Sequence, residues 1–199
     1  VSIGSGIVTG VEALIRWRHP ERGLLQPGQF LSVAEDCGLI VPIGEWVLQQ
    51  ACVQAQRWRA QGYPVVVAVN LSSAQFFHNN LVACVDQALR ESGLPAQCLD
   101  LEITEDVVMH ADEVTLRTVN ALGERGVRLT IDDFGTGFSN LSLLRRVPLS
   151  KLKIDRSFVG DIMRGPHEAD IIPAIIAGAR GLKLRVIAEG VETEEQLRF

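Results

Sequence analysis

The segment LTIDDFGTGFS, Leu129–Ser139, is the most informative part of this sequence. An apolar run typical of a β-strand ends in two adjacent carboxylates, Asp132 and Asp133, and a glycine-rich loop follows directly. Carboxylate oxygens are preferred ligands of Mg²⁺ and Mn²⁺, so a strand that ends in two acids is a candidate cation site. Acids at such a position also occur in turns that bind nothing, where they only cap the loop. The other polar residues of the predicted strands decide between these two interpretations.

Length and composition are typical of one globular domain. The chain has 199 residues, of which 47% are apolar, and this is enough to bury a large core. The formal net charge of −5 argues against binding to a nucleic-acid polymer. No apolar run is long enough to span a membrane, so we expect no membrane contact by this domain. Val1 is not an initiator Met, so we expect the natural N-terminus to lie upstream.

The cysteines and histidines indicate a cytoplasmic protein without zinc chemistry. The cysteines show no Cys-x-x-Cys spacing, and most lie in helical patterns, so we expect reduced thiols in the cytoplasm, alone or as part of a larger membrane-anchored protein. The histidines lack the spacing of zinc ligands. These residues are Cys37, Cys52, Cys84, Cys98, His19, His78, His110 and His167.

Strand-like runs alternate with helical patterns along the whole chain. The predicted strands are Val8–Trp17, Val65–Leu71, Cys98–Thr104, Arg128–Phe134, Lys151–Asp155 and Leu184–Val191. The predicted helices are Pro42–Gln61, Leu81–Ser92, Asp112–Arg125 and His167–Arg180, and Thr193–Gln196 has the pattern of a capping box. Pro173 should disturb the fourth helix unless it lies in the first turn. This alternation predicts a parallel sheet with helical crossover connections.

The parity of the strand side chains distinguishes an open doubly wound sheet from a closed barrel. In the third strand, Asp100 and Glu102 share one face, and apolar residues occupy the other. A central strand of an open α/β sheet is apolar on both faces, whereas the mouth of a barrel carries functional groups. We therefore expect an α/β fold of the TIM-type (β/α)₈ barrel class. The same parity groups Glu12 with Leu14 and Arg16, Thr130 with Asp132, Lys151 with Lys153 and Asp155, and Ile187 with Glu189.

Eight polar side chains are candidates for this mouth, and five of them are carboxylates. A pair of carboxylates roughly 4–5 Å apart costs about 3–4 kcal/mol at an effective dielectric near 20. One lysine and one arginine are too few to neutralise the group, so the pattern predicts bound divalent cations. The alternative is that these acids pair with surface arginines or cap helices. The candidates are Glu12, Arg16, Asn70, Glu102, Asp132, Asp133, Lys153 and Glu189.

Six motifs resemble, in order, those of the EAL domain family, and they cover essentially the whole chain. The family begins with a strand that carries Tyr-Gln-Pro and ends with a further strand and helix. Residues 1–199 are therefore identified as an EAL domain, an EAL variant of the barrel that is incomplete at both ends. The motifs are Glu12–Leu14 with Ile15–Trp17, Val69–Ser72, Leu101–Glu105, Asp132–Gly137, Lys153–Asp155 and Ala188–Glu192.

The resemblance implies hydrolysis of cyclic di-GMP to linear pGpG with two Mg²⁺ or Mn²⁺ ions. The residues that resemble ligands of the first metal are Glu12, Asn70, Glu102 and Asp132. Asp132 and Asp133 resemble ligands of the second metal, near which Glu189 acts through water. Lys153 resembles the residue that holds the attacking water, and Glu12 and Glu189 join it as catalytic residues.

The resemblance also assigns the substrate side. Arg16 resembles a phosphate contact, Leu14, Asp155 and Glu192 lie near the substrate, and Glu105 anchors the loop Gly135–Ser139. It further implies a homodimer and a sensory, receiver or GGDEF-type domain in the full-length chain. The main alternative is a catalytically silent EAL receptor for cyclic di-GMP. Silent members lose the metal acids or the loop motif, which are present here. An unrelated metal-dependent barrel enzyme acting on a sugar or enolate is a third possibility.

Overall fold

The computed structural model describes residues 1–78, 80–109, 111–135, 144–162 and 171–199. Six parallel strands form one sheet in the order β1-β4-β5-β6-β7-β8, and β2 and β3 form a separate antiparallel hairpin. The strands are β1 Gly10–Ala13, β2 Trp17–His19, β3 Gly23–Leu25, β4 Val66–Leu71, β5 Leu99–Thr104, β6 Arg128–Phe134, β7 Lys151–Ile154 and β8 Arg185–Ala188. The sheet and its crossover helices form an incomplete TIM-type (β/α)₈ barrel.

The helices follow the predicted periodicity. Helix Leu81–Ser92 has the predicted bounds, and Gly93 ends it with φ +69°, a left-handed conformation that favours glycine. Asp112 begins the next helix by accepting a hydrogen bond from Thr115 N–H at 2.8 Å. Within the described residues, two short 3₁₀ helices span Pro27–Gln29 and Ala96–Cys98, and the α-helices are Leu31–Asp36, Ile40–Ala60, Ser73–Phe76, Leu81–Ser92, Glu105–Met109, Glu113–Glu124, Arg156–Asp161, Ile171–Gly181 and Glu194–Arg198. None of the helices in these described ranges is long and apolar enough to cross a bilayer.

The two faces of the sheet differ in the way that the parity predicts. Outward side chains from β4 to β7 pack against the helices in one apolar cluster, and each is at most 3% exposed. They are Val67, Val69, Leu71, Leu99, Leu101, Ile103, Leu129, Ile131, Leu152 and Ile154. The inward face is also buried but polar, since Asp100, Glu102, Thr130 and Lys153 are at most 5% exposed. The polar groups therefore lie in the lumen of the barrel, where they have to satisfy one another.

The predicted strand Val8–Trp17 is wrong at both ends. β1 contains only Gly10–Ala13, because these are the residues for which β4 provides pairing partners. The chain then leaves the sheet, and Trp17–His19 pairs with Gly23–Leu25 in the hairpin. Residues 14–16 consequently lie in the connection at the carboxyl end of β1 rather than in a strand.

In the last part of the chain, the predicted strand Leu184–Val191 is too long, since β8 contains only Arg185–Ala188, but the predicted cap and the position of Pro173 agree with the structure. Thr193 and Gln196 form the predicted capping box, with Thr193 Oγ1 accepting from Gln196 N–H at 3.2 Å. Pro173 is the third residue of helix Ile171–Gly181, in its first turn, where a missing N–H is tolerated. Residues 167–170, which belong to the predicted fourth helix, lie outside the described residues, as do His110 and positions 136–139 of the predicted loop.

Among the described residues, no strand pairs with the outer edges of β1 and β8, and this generates a prediction about residues 1–199 expressed alone. Beside β1, an apolar groove of about 330 Å³ is lined by residues that include Val11, Trp46 and Trp58, and Trp46 is 58% exposed. We expect the isolated segment to self-associate, because an open strand edge beside apolar surface is a template for pairing. Light scattering measures this, and Trp46→Gln should reduce the association. A monomeric segment that unfolds cooperatively would contradict the prediction.

Candidate active site and metal centre

Lys153 lies at the centre of the predicted acid cluster. Its Nζ contacts four carboxylates: Glu189 Oε1 at 2.6 Å, Glu102 Oε2 at 2.9 Å, Asp132 Oδ1 at 3.0 Å and Glu12 Oε2 at 3.8 Å. Lys153 is 5% exposed and Glu102 is 4% exposed, so water screens these charges poorly. When all five groups are ionised, one ammonium faces four carboxylates, and the group keeps an excess of three negative charges.

Each of the six parallel strands contributes to this cluster. Glu12 lies on β1, and its Oε1 accepts a hydrogen bond from Asn70 Nδ2 of β4 at 2.5 Å. Asn70 is in register with Glu102 of β5. Asp132 lies on β6, Lys153 on β7, and Glu189 directly follows β8. The carboxyl ends of parallel strands meet at one end of a barrel, which is why residues so distant in sequence converge here.

A β-bulge brings Asp132 and Asp133 to the same side of β6. Adjacent side chains of a regular strand point to opposite faces. From one residue pair between β6 and β7 to the next, however, β6 advances by three residues and β7 by only two. The strand β6 therefore contains one residue that has no partner in β7. Asp133 takes φ +53°, in the left-handed region, and its N–H donates to Asp132 Oδ1 at 3.0 Å. As a result, carboxylate oxygens of Asp132, Asp133 and Glu189 lie within 4.8 Å of one another.

The pKa values of three acids in the cluster, and that of Lys153, lie above their usual values. Burial raises the pKa of Glu102 to about 7, although Lys153 partly offsets the effect. Burial raises the pKa of Asp133, and the charge of Asp132 adds to this effect. Burial also raises the pKa of Glu189, although the hydrogen bond from Lys153 opposes the effect. Burial acts to lower the pKa of Lys153, but the bond to Glu189 and the charge of Glu102 outweigh it and raise the pKa. Lys153 therefore holds its proton and is suited to donate hydrogen bonds rather than to act as a base.

Glu105 is the first residue of helix Glu105–Met109, and it connects this helix to the start of the glycine-rich loop. It is 5% exposed, and its Oε2 accepts a hydrogen bond from Gly135 N–H at 3.1 Å. Gly135 has φ +101°, and a Cβ at this position would lie 2.8 Å from the Phe158 ring, so only glycine fits. Residues 136–143 are outside the described ranges, and the predicted role of Glu105 as an anchor for the whole loop stays a prediction.

The four residues assigned to the substrate side lie around the mouth, outside the Lys153 group. Leu14 is 54% exposed, and Arg16 is exposed with its Nη1 donating to Ile15 O at 2.7 Å. Asp155 caps helix Arg156–Asp161, and its hydrogen bonds with Ser157 lower the pKa of its carboxyl group. Glu192 is exposed. Their roles toward a substrate stay predictions.

The donor atoms of the cluster fit divalent cations. Two overlapping sets, which share Asp132, offer only carboxylate and amide oxygens, the ligands of Mg²⁺ and Mn²⁺. Burial is the main cause of the raised pKa values of three of these acids, and neighbouring carboxylates add to it, so a bound cation would favour their ionised forms. The first set is Glu12, Asn70, Glu102 and Asp132, whose three carboxylates contact Lys153 Nζ while Asn70 bonds to Glu12. The second set is Asp132, Asp133 and Glu189, whose oxygens lie within 4.8 Å of one another.

Sequence reasoning placed Asp100 and Lys151 on the inward face but gave them no role. The structure joins them in a buried ion pair beneath the cluster. The signal was present in the repeated pattern of the two strands, since Asp100-x-Glu102 on β5 mirrors Lys151-x-Lys153 on β7. Sequence reasoning also missed the bulge, although two adjacent acids can share one side of a strand only where the alternation breaks.

The raised pKa of Glu102 predicts how the stability of the metal-free protein depends on pH. Its pKa rises from 4.5 to about 7 on folding, so the folded state keeps a proton that the unfolded state releases. The contribution of Glu102 is fully present below pH 4.5 and is lost as the pH rises through 7. Urea unfolding of the parent and of Glu102→Gln should therefore show the parent losing stability relative to the variant between these values. The exposed Glu21→Gln is the control. An equal pH dependence of parent and Glu102→Gln would contradict the prediction.

Comparison with known proteins gives the family of this barrel. The family profile described as EAL domain matches residues 1–199. The bifunctional diguanylate cyclase/cyclic di-GMP phosphodiesterase MucR of Pseudomonas aeruginosa is 48% identical over 196 residues, covering 98% of this chain and 29% of that protein. The cyclic di-GMP phosphodiesterase PdeR of Escherichia coli is 41% identical over 194 residues, covering 98% of this chain and 29% of that protein.

Solved structures agree with the sequence relatives. The PaMucR phosphodiesterase in complex with c-di-GMP matches with a TM-score of 0.93 and 48% identity, covering 97% of this chain and 78% of that chain. The EAL enzyme Bd1971, with cAMP and cyclic di-GMP bound, matches with a TM-score of 0.93 and 33% identity, covering 100% of this chain and 55% of that chain. The chain spans 29% of the length of the two curated relatives. From its profile, its relatives and its fold, this chain belongs to the EAL domain family.

Proposed function

We propose that this domain hydrolyses cyclic di-GMP to linear pGpG with two Mg²⁺ or Mn²⁺ ions, in bacterial second-messenger signalling. The observation that carries the proposal is the group of acid and amide oxygens around Lys153 at the mouth of an EAL barrel. The names of the relatives MucR and PdeR as cyclic di-GMP phosphodiesterases support it. Hydrolysis adds water across one phosphodiester, breaks one P–O ester bond of the ring and leaves a terminal phosphate.

In this proposal the two oxygen sets hold the cations. Glu12, Asn70, Glu102 and Asp132 hold the first, and Asp132 and Asp133 hold the second with Glu189 nearby. Divalent cations in such sites lower the pKa of water and neutralise charge that develops on phosphoryl oxygens. The bulge at Asp132 and Asp133 supports a shared ligand, because it aims both carboxylates at the same side of the strand.

The chain's own residues supply orientation and substrate binding. Lys153 keeps its proton, so Nζ orients the attacking water by donating a hydrogen bond to it, and Glu12 and Glu189 fix that ammonium. Arg16 would leave its bond to the Ile15 carbonyl and donate to a phosphate oxygen of the substrate. The remaining residues proposed for the substrate side are Leu14, Asp155 and Glu192.

The setting of the domain is part of the proposal. The curated relatives are about three times longer than this chain, so we propose a sensory, receiver or GGDEF-type domain in the intact protein. We also propose a cytoplasmic location and a homodimer. Glu105 is the proposed anchor of the loop after Asp133, a role that its bond to Gly135 N–H supports.

The test compares pGpG formation and cyclic di-GMP binding in the intact protein. At saturating Mg²⁺ or Mn²⁺ the parent should form pGpG, and Lys153→Ala should lower kcat by about 10²-fold or more, because positioned catalytic groups contribute on that scale. Binding of cyclic di-GMP should change much less, since the proposed phosphate contact is Arg16. Measuring product by chromatography and affinity by calorimetry on the same preparations separates the two effects.

Glu105→Ala is the comparison variant for this experiment. It should reduce activity by loosening the loop that follows Asp133, and raising the Mn²⁺ concentration should restore part of that activity, whereas Lys153→Ala should not respond. A catalytically silent receptor gives a different result. Tight cyclic di-GMP binding without pGpG in the unmutated, metal-saturated protein would overturn the phosphodiesterase assignment.

A further inference from the structure

A second charged layer lies on the inward face, beneath the acid cluster. Lys151 Nζ donates to Asp100 Oδ2, and Thr130 Oγ1 donates to Asp100 Oδ1 at 2.7 Å. Asp100 is 1% exposed and Thr130 is fully buried, while the Lys151 side chain is 16% exposed. The strand β6 lies between β5 and β7, so Lys151 reaches across it inside the lumen. Lys153 crosses β6 in the same way, two residues further along β7, to reach Glu102.

The two layers are close enough for their charges to interact. Two residues of a strand span about 6.6 Å, and in a poorly hydrated lumen charges at that distance act on one another. The lower pair of Asp100 and Lys151 is neutral as a unit, whereas the upper group around Lys153 has an excess of negative charge. Loss of either charge of the lower pair would therefore change the field at the upper group, and the two losses would act in opposite directions.

We propose that Asp100 is a positioning residue that cancels and holds the charge of Lys151, and that this pair sets the affinity of the acid cluster for divalent cations. The inference rests on the proposed function, because it concerns the same cation sites. Without Asp100, the Lys151 ammonium would place an uncompensated positive charge beneath these sites and oppose cation binding. Without Lys151, the Asp100 carboxylate would add negative charge there and favour it.

Two further charged residues border this layer. Arg128 is the register partner of Asp100, and Arg185 is the register partner of Lys151. Arg128 is half-buried, as Lys151 is, and Arg185 is exposed, so solvent screens both arginines more than it screens Asp100. The prediction is made for Asp100 and Lys151, because the structure joins their charged atoms directly.

A purely structural ion pair makes a different prediction. If Asp100 and Lys151 only fixed β7 against β5, removal of either partner would disturb the cluster and weaken cation binding in both cases. The electrostatic role instead predicts effects of opposite sign and a return toward the parent affinity in the double variant. The sign of the change in affinity distinguishes the two roles.

The experiment is a Mn²⁺ titration of the intact, metal-free protein, read by electron paramagnetic resonance of free Mn²⁺. Asp100→Asn should weaken binding about tenfold, because a unit charge acting on a divalent ion across about 7 Å has that effect even at a dielectric near that of water. Lys151→Gln should bind Mn²⁺ more tightly than the parent, and Asp100→Asn/Lys151→Gln should bind within about threefold of it. The control is the surface ion pair of Asp86 and Arg125, where Asp86→Asn and Arg125→Gln should leave the affinity unchanged.

The outcomes separate this inference from the proposed function. If the parent itself binds no Mn²⁺, the proposed metal centre is wrong and the inference fails with it. If the parent binds Mn²⁺ but Asp100→Asn and Lys151→Gln both weaken binding, or neither changes it, the inference alone is wrong. Circular dichroism verifies folding, and if Asp100→Asn does not fold, the comparison of Lys151→Gln with the parent decides the sign.

Discussion

The arrangement of side chains in the barrel mouth depends on the ion pairs that the ammonium of Lys153 makes. Four carboxylates from different parts of the chain converge on it, and at an effective dielectric near 20 each pair of them repels by about 3–4 kcal/mol at contact distances. In the metal-free protein, Lys153 connects β1, β5, β6 and the end of β8. The acids that make the site suitable for cations are thus the ones that repel one another in the metal-free fold, and burial, the main cause of the raised pKa of Glu102, adds to the cost of ionising them.

The backbone of β6 imposes the second constraint. At the extra residue of this strand, Asp133 adopts a left-handed conformation that costs roughly 1–3 kcal/mol for a non-glycine residue. The conformation brings Asp133 beside Asp132 and Glu189, which a regular strand would not do. Glu105 holds Gly135, two residues after Asp133, through its backbone N–H, so the bulge is supported on its carboxyl side. The strained backbone and the hydrogen bond that supports it thus occur at the position where the site needs two acids on one side of the strand.

The barrel was predictable from the sequence because its strands separate apolar and polar residues with a period of two. Asp100 and Glu102 on one side of β5, opposite Leu101 and Ile103, already excluded an open sheet covered on both faces. The convergence of Glu12 with Lys153 follows from that topology. Strand ends were less predictable, because pairing partners on the neighbouring strand decide where β1 stops, and the apolar run through Leu14 continues beyond them.

The parts of the site that escaped prediction depend on geometry that no local pattern fixes. The bulge depends on the ladder between β6 and β7, and the pair of Asp100 and Lys151 depends on two side chains meeting across a third strand. Asp155 shows the converse, since a residue assigned to the substrate side also caps a helix through Ser157. Periodicity predicted which side chains face the lumen, but not which of them neutralise one another.

The most direct test of this account is anomalous diffraction from crystals of the intact protein soaked in Mn²⁺. Two Mn²⁺ peaks should appear in the barrel mouth and share Asp132 as a ligand, with Lys153 displaced from part of its carboxylate contacts. The first peak should lie among Glu12, Asn70, Glu102 and Asp132, and the second beside Asp132 and Asp133. An empty mouth at saturating Mn²⁺, with all four Lys153 ion pairs intact, would contradict the claim that cations replace Lys153 in neutralising the cluster.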